Sequence, residues 1–198
     1  MKIIGAIIAG GKSSRMAGQE KALIKLAGKT TLSHVIDRFA PQVDQLVINA
    51  NGDLKRFAEF GLEIVPDAMK QLTTPLSGLH AALSYAGSVK ADVLVTVPSD
   101  TPFLPSDLVA RLMEKMITSG AAIASSGNQD HYIIGAWKMG LLVDLERAIE
   151  KDGLFRVKDW ASRISAASVV WPAAPYDPFF NINTPADLMR AEQIVSAA

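Results

Sequence analysis

The densest chemistry in the chain lies in Ile8-Ala9-Gly10-Gly11-Lys12-Ser13-Ser14-Arg15-Met16, with Lys21 just beyond it. Glycines let a backbone approach an anion closely and aim its N–H groups inward, while lysine and arginine bring charge. The segment therefore suits a polyphosphate and reads as a nucleoside triphosphate loop. It is not a P-loop: Gly5 and Gly11 enclose five residues, one more than that motif places before its Gly-Lys pair. Nor is it a dinucleotide fingerprint, because no third glycine follows Gly10-Gly11 at the required spacing. Lys21 is close enough to fold back over the same phosphates and neutralise charge at a pentacoordinate α-phosphorus. The fork of Arg15 suits bidentate phosphate contact, and Lys12 reads equally well as solvent-facing.

Asp100 is the second pointed residue. It follows the apolar run Val93 to Val97 and sits in the stiff turn Pro98-Ser99-Asp100-Thr101-Pro102. A carboxylate there can hold a Mg²⁺ shared with triphosphate oxygens, since magnesium takes few protein carboxylates and keeps several waters. Its structural alternative is a helix cap or turn carboxylate, a role open also to Thr101 and Ser106. Asn49 and Asn51 can read a base or ribose through their amides, or can simply end a strand. Thr74-Pro75-Leu76-Ser77-Gly78 is a second small-residue turn entering a helix, with N–H groups free for a ligand. His34, His80 and His131 have no metal-ligand spacing, and Trp137, Trp160 and Trp171 read as packing residues.

The elements that must hold these residues alternate in type. Ile3 to Ile8, Leu46 to Asn49, Leu62 to Val65 and Val93 to Val97 read as strands, and Ala121 to Ala124, Tyr132 to Trp137 and Ser168 to Trp171 are later strand candidates. Between them fall helical patterns over Leu32–Phe39, around Leu54–Phe60, Leu76–Ala86, about Pro105–Ile117, Leu141–Ile149 and Val157–Ile164. A final helix is capped by Thr184, with Pro185 at its first position and Asp187 three after the cap. Strands and helices in alternation predict a mostly parallel sheet covered on both faces. In such sheets ligands collect at the carboxyl ends of strands where strand order reverses. Gly10 to Arg15, Asn49 and Asn51, Asp67, and Ser99-Asp100 all follow strands, and all are expected to face one cleft.

Composition narrows the class. The 198 residues suit one domain, 1–198, and Lys plus Arg (20) balance Asp plus Glu (20). No global field draws nucleic acid or an anionic membrane, so anion binding must come from local charge. The absence of cysteine excludes disulfides, thiolate chemistry and zinc–cysteine sites, and is compatible with a cytoplasmic enzyme. The apolar run after Lys2 is interrupted by Gly5 and stopped by Lys12, so a soluble protein with no export signal is expected. A Ser-His-Asp hydrolase is disfavoured because no Gly-x-Ser-x-Gly elbow occurs. The parts suit nucleotidyl transfer, in which a substrate phosphate attacks the α-phosphorus of a nucleotide and pyrophosphate leaves.

These motifs together resemble the molybdenum cofactor guanylyltransferases, within the wider Rossmann-like nucleotidyltransferases. The resemblance runs over Ile8 to Met16, Lys21-Ala22-Leu23, Val47 to Asn51, Val65-Pro66-Asp67, Pro75 to Leu79, Pro98 to Phe103, and Phe180-Asn181-Ile182-Asn183-Thr184-Pro185-Ala186-Asp187-Leu188. It implies a three-layer α/β Rossmann-like domain with a mostly parallel central sheet. The implied reaction moves GMP from GTP to the terminal phosphate of molybdopterin or molybdenum-molybdopterin, giving the guanine dinucleotide cofactor and pyrophosphate. By matching position the GTP contacts are Ile8, Ala9, Gly10, Gly11, Lys21, Asn49, Asp67 and Asp100, with Arg15, Lys21 and Asp100 catalytic and Asp100 the Mg²⁺ ligand. Ser77, Gly78, Asn181 and Asn183 fall on the molybdopterin side. Related cytidylyltransferases tend to carry Ala where this chain has Gly10, which favours GTP. Ala17, Glu20 and Thr74 depart from the family's usual Gly, Asp and Gly, and Thr74 leaves a different phosphorylated acceptor open. A CTP-dependent relative and a non-catalytic nucleotide-binding module are the other readings. The implied partners are the two substrates and other cofactor-synthesis or acceptor enzymes, with no nucleic acid and no membrane.

Overall fold

The computed structural model describes residues 1–9, 20–69 and 74–197, so Gly10, Gly11, Lys12 and Arg15 lie outside the described residues. In chain order the elements are β1 (Ile3–Ile8), β2 (Lys25–Leu26), β3 (Lys29–Thr30), α1 (Thr31–Phe39), β4 (Gln45–Asn49), β5 (Glu63–Val65), α2 (Pro75–Ser88), β6 (Val93–Pro98), α3 (Leu108–Ser119), β7 (Ala121–Ser126), β8 (Gln129–Lys138), α4 (Leu142–Glu150), α5 (Val157–Arg163), β9 (Ala167–Trp171) and α6 (Pro185–Ala197). Leu54–Phe60, expected as a helix, is a 3-10 helix. Helix α3 starts at Leu108 rather than near Pro105, because the chain from Pro102 to Asp107 is spent in turns. The ribbon β2–β3 was not legible: its arms are two residues each, and its turn is Ala27-Gly28, with φ of 48° and 86°.

Seven strands form one sheet in the order β5-β4-β1-β6-β8-β7-β9. Strand β1 pairs in parallel with both β4 and β6, and β4 with β5, while β8 runs antiparallel to β6 and β7. The sheet is thus mostly parallel, with an antiparallel strand inserted beyond β6. Its near-continuous apolar strands follow from double coverage. On one face lie α1 and α3, through Leu32, Val35, Phe39, Leu108 and Leu112, and on the other α2, α4 and α5, through Leu76, Leu83, Leu145 and Trp160. This is the three-layer α/β arrangement expected. The chain moves from β1 outward through β4 to β5, then returns to β6 on the other side of β1. That reversal opens a crevice at the carboxyl ends of β1 and β6, where such sheets bind ligands. Among the described residues no helix is long and apolar enough to cross a membrane.

The three tryptophans pack. Trp137 and Trp160 are fully buried with ring centroids 5.2 Å apart, and Trp137 Nε1 donates to Thr96 Oγ1 at 2.9 Å. Beside them, a Cβ at Gly135 would lie 2.8 Å from the Ala122 carbonyl oxygen and 2.7 Å from the Trp137 ring. A backbone oxygen cannot swing aside, so Gly135→Ala is expected to cost about 1–3 kcal/mol, lowering Tm by roughly 2–4 °C per kcal/mol. A thermal melt indistinguishable from wild type would show that β7 and β8 can part there without penalty.

Candidate active site

A cleft of about 390 Å³ opens at the carboxyl ends of β1 and β6. Ile8 and Ala9 line it from β1, Pro98, Ser99 and Asp100 from β6, and Lys21, Asn181 and Asn183 from the segments that fold over it. The two strand ends are tied together: Ser99 N donates to Ile8 O at 3.2 Å, and Ala9 N to Asn49 O at 2.8 Å.

Lys21 opens a single 3-10 turn, Lys21–Leu23, anchored by buried Ala22. Its Nζ lies 3.4 Å from Asp100 Oδ2 and also donates to Asn183 Oδ1. Residues separated by 79 and 162 positions in the chain thus meet at one ammonium group. Asp100 does not cap a helix; among the described residues Lys21 is its carboxylate's hydrogen-bond partner. Its side chain is only 14% exposed. Burial pushes the carboxyl above the usual carboxylate range, against the neighbouring Lys21 charge that pulls it down. A cleft carboxylate whose charge is incompletely compensated fits a divalent cation. Among the described residues no cluster of three or more His, Cys, Asp or Glu could hold a metal by itself. A cation at Asp100 would therefore complete its shell with nucleotide oxygens and water, as Mg²⁺ commonly does.

Asn181 and Asn183 flank Ile182, which is fully buried in the small cluster with Leu26, Phe103 and Ala191. Alternation along an extended segment then turns both amides toward the cleft. The segment is held at both ends. Ile182 N donates to Asp100 O at 3.0 Å, while Asn183 N and Thr184 N donate to Asp187 Oδ2 at 3.0 and 2.8 Å. Asp187 N returns a bond to Thr184 Oγ1 at 3.2 Å, a reciprocal cap that starts α6.

Asn49, Asp67, Ser77 and Gly78 form a connected group at the same end of the sheet, but are not among the residues lining the described cleft. Asn49 is 1% exposed, and its Nδ2 donates to Val65 O at 3.0 Å and Asp67 Oδ1 at 2.8 Å. Ser77 Oγ lies 2.7 Å from both Asp67 Oδ2 and Thr74 O, and Asp67 N donates to Asn51 Oδ1 at 2.9 Å. A Cβ on Gly78 would lie 2.4 Å from Asn49 Oδ1, so this glycine makes room for the amide. Ser77 and Gly78, expected with Asn181 and Asn183 on the molybdopterin side, are in contact with Asp67 and Asn49 respectively.

Two features of the site escaped sequence reading. Glu20 lines the cleft and pairs with the Arg56 guanidinium, which also donates to Asn51 O at 2.8 Å. The opposite wall is the start of β8, Gln129 to Ile134. The signal available for that wall was Asp130-His131-Tyr132, a polar triplet entering an otherwise apolar strand.

A MobA-like NTP transferase domain is matched over residues 5–166. The molybdenum cofactor guanylyltransferase of Rhodopseudomonas palustris is 43% identical over 192 residues, covering 95% of this chain and 91% of that protein. That of Brucella ovis is 42% identical over 209 residues, covering 99% and 94%. Among solved structures, molybdopterin-guanine dinucleotide biosynthesis protein A from Archaeoglobus fulgidus aligns with a TM-score of 0.77 over 98% of this chain and 100% of that one, at 26% identity.

Proposed function

The chain belongs to the MobA-like NTP transferase family and is a nucleotidyltransferase, and from that premise we propose that it transfers GMP from GTP to the terminal phosphate of molybdopterin or molybdenum-molybdopterin. An acceptor phosphate oxygen forms a bond to the α-phosphorus, the bond from that phosphorus to the bridging oxygen breaks, and pyrophosphate leaves. No protein nucleophile is needed, so the residues contribute position and charge. The observation that carries the reading is the meeting of Asp100, Lys21 and Asn183 at the β1/β6 crevice. It sets a carboxylate suited to a metal and an amide suited to an acceptor on either side of one cation.

On this reading the β1 end, Ile8 and Ala9, together with Gly10, Gly11 and Arg15, takes the triphosphate. Asp67 faces the nucleoside and Asn49 acts by holding Asp67 in place, because its own amide is consumed internally. Asp100 would hold Mg²⁺, which when bound neutralises triphosphate oxygens. Lys21 supplies charge where it accumulates on the transferred phosphoryl group. Asn181 and Asn183 orient the acceptor. The enzyme acts in the cytoplasm as one domain, handing its product to other cofactor-synthesis or acceptor enzymes.

Mixing purified protein with Mg-GTP and molybdopterin is expected to yield the guanine dinucleotide and pyrophosphate. Mg-GTP alone is expected to protect the fold: at about 100 times Kd a ligand stabilises by about 2.7 kcal/mol, worth roughly 2–4 °C of Tm per kcal/mol in a chain of this size. CTP and ATP are expected to protect much less. Equal shifts with GTP and CTP would remove the basis for a guanylyl donor.

A further inference from the structure

The β8 wall is shaped by an interruption in strand pairing. Ile123 of β7 pairs with Gly135, but the next residue, Ala124, pairs with His131, so Tyr132, Ile133 and Ile134 have no partner on β7. The bulge is pinned from the other side by buried Thr96, whose Oγ1 donates to Ile133 O at 2.7 Å. Such interruptions re-aim side chains next to active sites. Here the result is His131 in the cleft wall, on the side of β6 away from β1, β4 and β5. That is the half of the crevice remote from the proposed nucleoside contacts.

The His131 ring is fixed. It packs against Phe179 at 5.0 Å between centroids, and Phe179 in turn packs edge-on to Trp171 at 5.3 Å. Nε2 lies 2.8 Å from Ser126 Oγ; Ser126 is 2% exposed, and its hydroxyl has no other hydrogen bond among the described residues. If Nε2–H donated to Ser126, the hydroxyl proton would be buried without an acceptor, which is costly. Ser126 therefore donates to Nε2, and in a neutral imidazole the proton must then sit on Nδ1. Burial keeps the imidazole neutral by pulling its pKa below the ordinary value, against the opposing charges of Asp177 and Asp130. Among the described residues the buried polar side-chain atoms without partners are Thr74 Oγ1 and His80 Nδ1. His131 Nδ1 is not one of them and makes no hydrogen bond among the described residues, and His131 lines the cleft.

We infer that His131 is an acceptor-recognition residue whose Nδ1–H donates to an uncharged ring oxygen of the acceptor, such as the 4-oxo group of a pterin, with Ser126 positioning it. Asp130 and Asp177 beside the ring make the spot unfavourable for a phosphate and leave a carbonyl oxygen as the suitable partner. The inference rests on the guanylyl-transfer reading.

The test measures KM for molybdopterin and kcat under saturating Mg-GTP, with the Mg-GTP thermal shift as a check on folding and donor binding. His131→Ala is expected to raise the acceptor KM about tenfold, the worth of one hydrogen bond left unmade, with kcat changed less than the KM and the thermal shift unchanged. His131→Asn, whose amide N–H can take the place of Nδ1–H, is expected to stay close to wild type, and Ser126→Ala to fall between. His131→Lys is expected not to rescue, because its charge would be taken by Asp130 and Asp177. An unchanged acceptor KM in His131→Ala, or rescue by Lys in place of Asn, overturns the assignment. If His131→Ala does not fold, the contrast between Asn and Lys decides the matter alone. Wild-type protein that forms no dinucleotide would instead bring down the guanylyl-transfer reading itself, which separates the two failures.

Discussion

Asp100→Asn is expected to lower turnover by roughly 10²- to 10³-fold, the loss seen when one electrostatic contact to a transition state is removed, and at the same time to raise the Tm of the ligand-free protein. The carboxamide keeps the size of the side chain and can still accept from Lys21, so the fold is spared while the metal's anionic ligand is lost. The stability gain follows from the direction of the Asp100 pKa. Burial raises it above its ordinary value, so the charged form is less favourable in the folded chain than in the unfolded one. That penalty sets in as pH rises through the unfolded pKa and grows until the folded one is passed, so it is already present at neutral pH. A neutral isostere removes it, and Lys21, 28% exposed, can turn to water. Each kcal/mol recovered appears as roughly 2–4 °C of Tm. Single-turnover product formation at limiting Mg²⁺ and a thermal melt read both effects. Unchanged turnover would assign the metal to another residue, and a Tm lowered by several degrees would show that the Lys21 pair outweighs the burial cost. A site residue that weakens its own fold is the usual trade between stability and function.

What was legible in the sequence is what local pattern determines. The apolar run before Asp100 marks a buried parallel strand, and Pro98 marks its end. The alternation in Asn181-Ile182-Asn183 places one residue in the core and two in the cleft, as the full burial of Ile182 bears out. The cap on α6 was readable because Thr184, Pro185 and Asp187 lie within one turn. What was not legible depends on which distant segments become neighbours. The Glu20–Arg56 pair joins residues 36 positions apart. The antiparallel entry of β8 between β6 and β7 has no signature in β8 itself, since an apolar run reads alike in either direction. The bulge that turns His131 into the cleft needs the β7 register to be seen at all. Ser77 and Gly78 were placed on the molybdopterin side by the family resemblance. What no local pattern announces is that Gly78 meets the Asn49 amide at a distance no Cβ would allow.

Lys21→Ala tests the junction between the two halves of the site, and its expected signature is a fall in kcat of roughly 10²- to 10³-fold with a much smaller change in KM for GTP. A cation that acts mainly on charge developing at the transferred phosphorus is lost from the transition state and not from the ground state. The structure adds a consequence for stability. Lys21 Nζ lies 3.4 Å from a carboxylate that is only 14% exposed, so its removal leaves that buried charge without its cation. The variant is expected to melt below wild type, whereas Asp100→Asn melts above it. Combining the two substitutions should return Tm close to that of Asp100→Asn alone, because once the carboxylate is neutral nothing remains for Lys21 to compensate. Mg-GTP should then raise the Tm of Lys21→Ala by at least as much as that of wild type, since a bound divalent cation neutralises the charge that the lysine left exposed to burial. A pure KM effect would reassign Lys21 to ground-state binding. Strictly additive Tm changes in the double variant would show that the pair carries no coupling energy, and that Lys21 is held at the crevice by Asn183 alone.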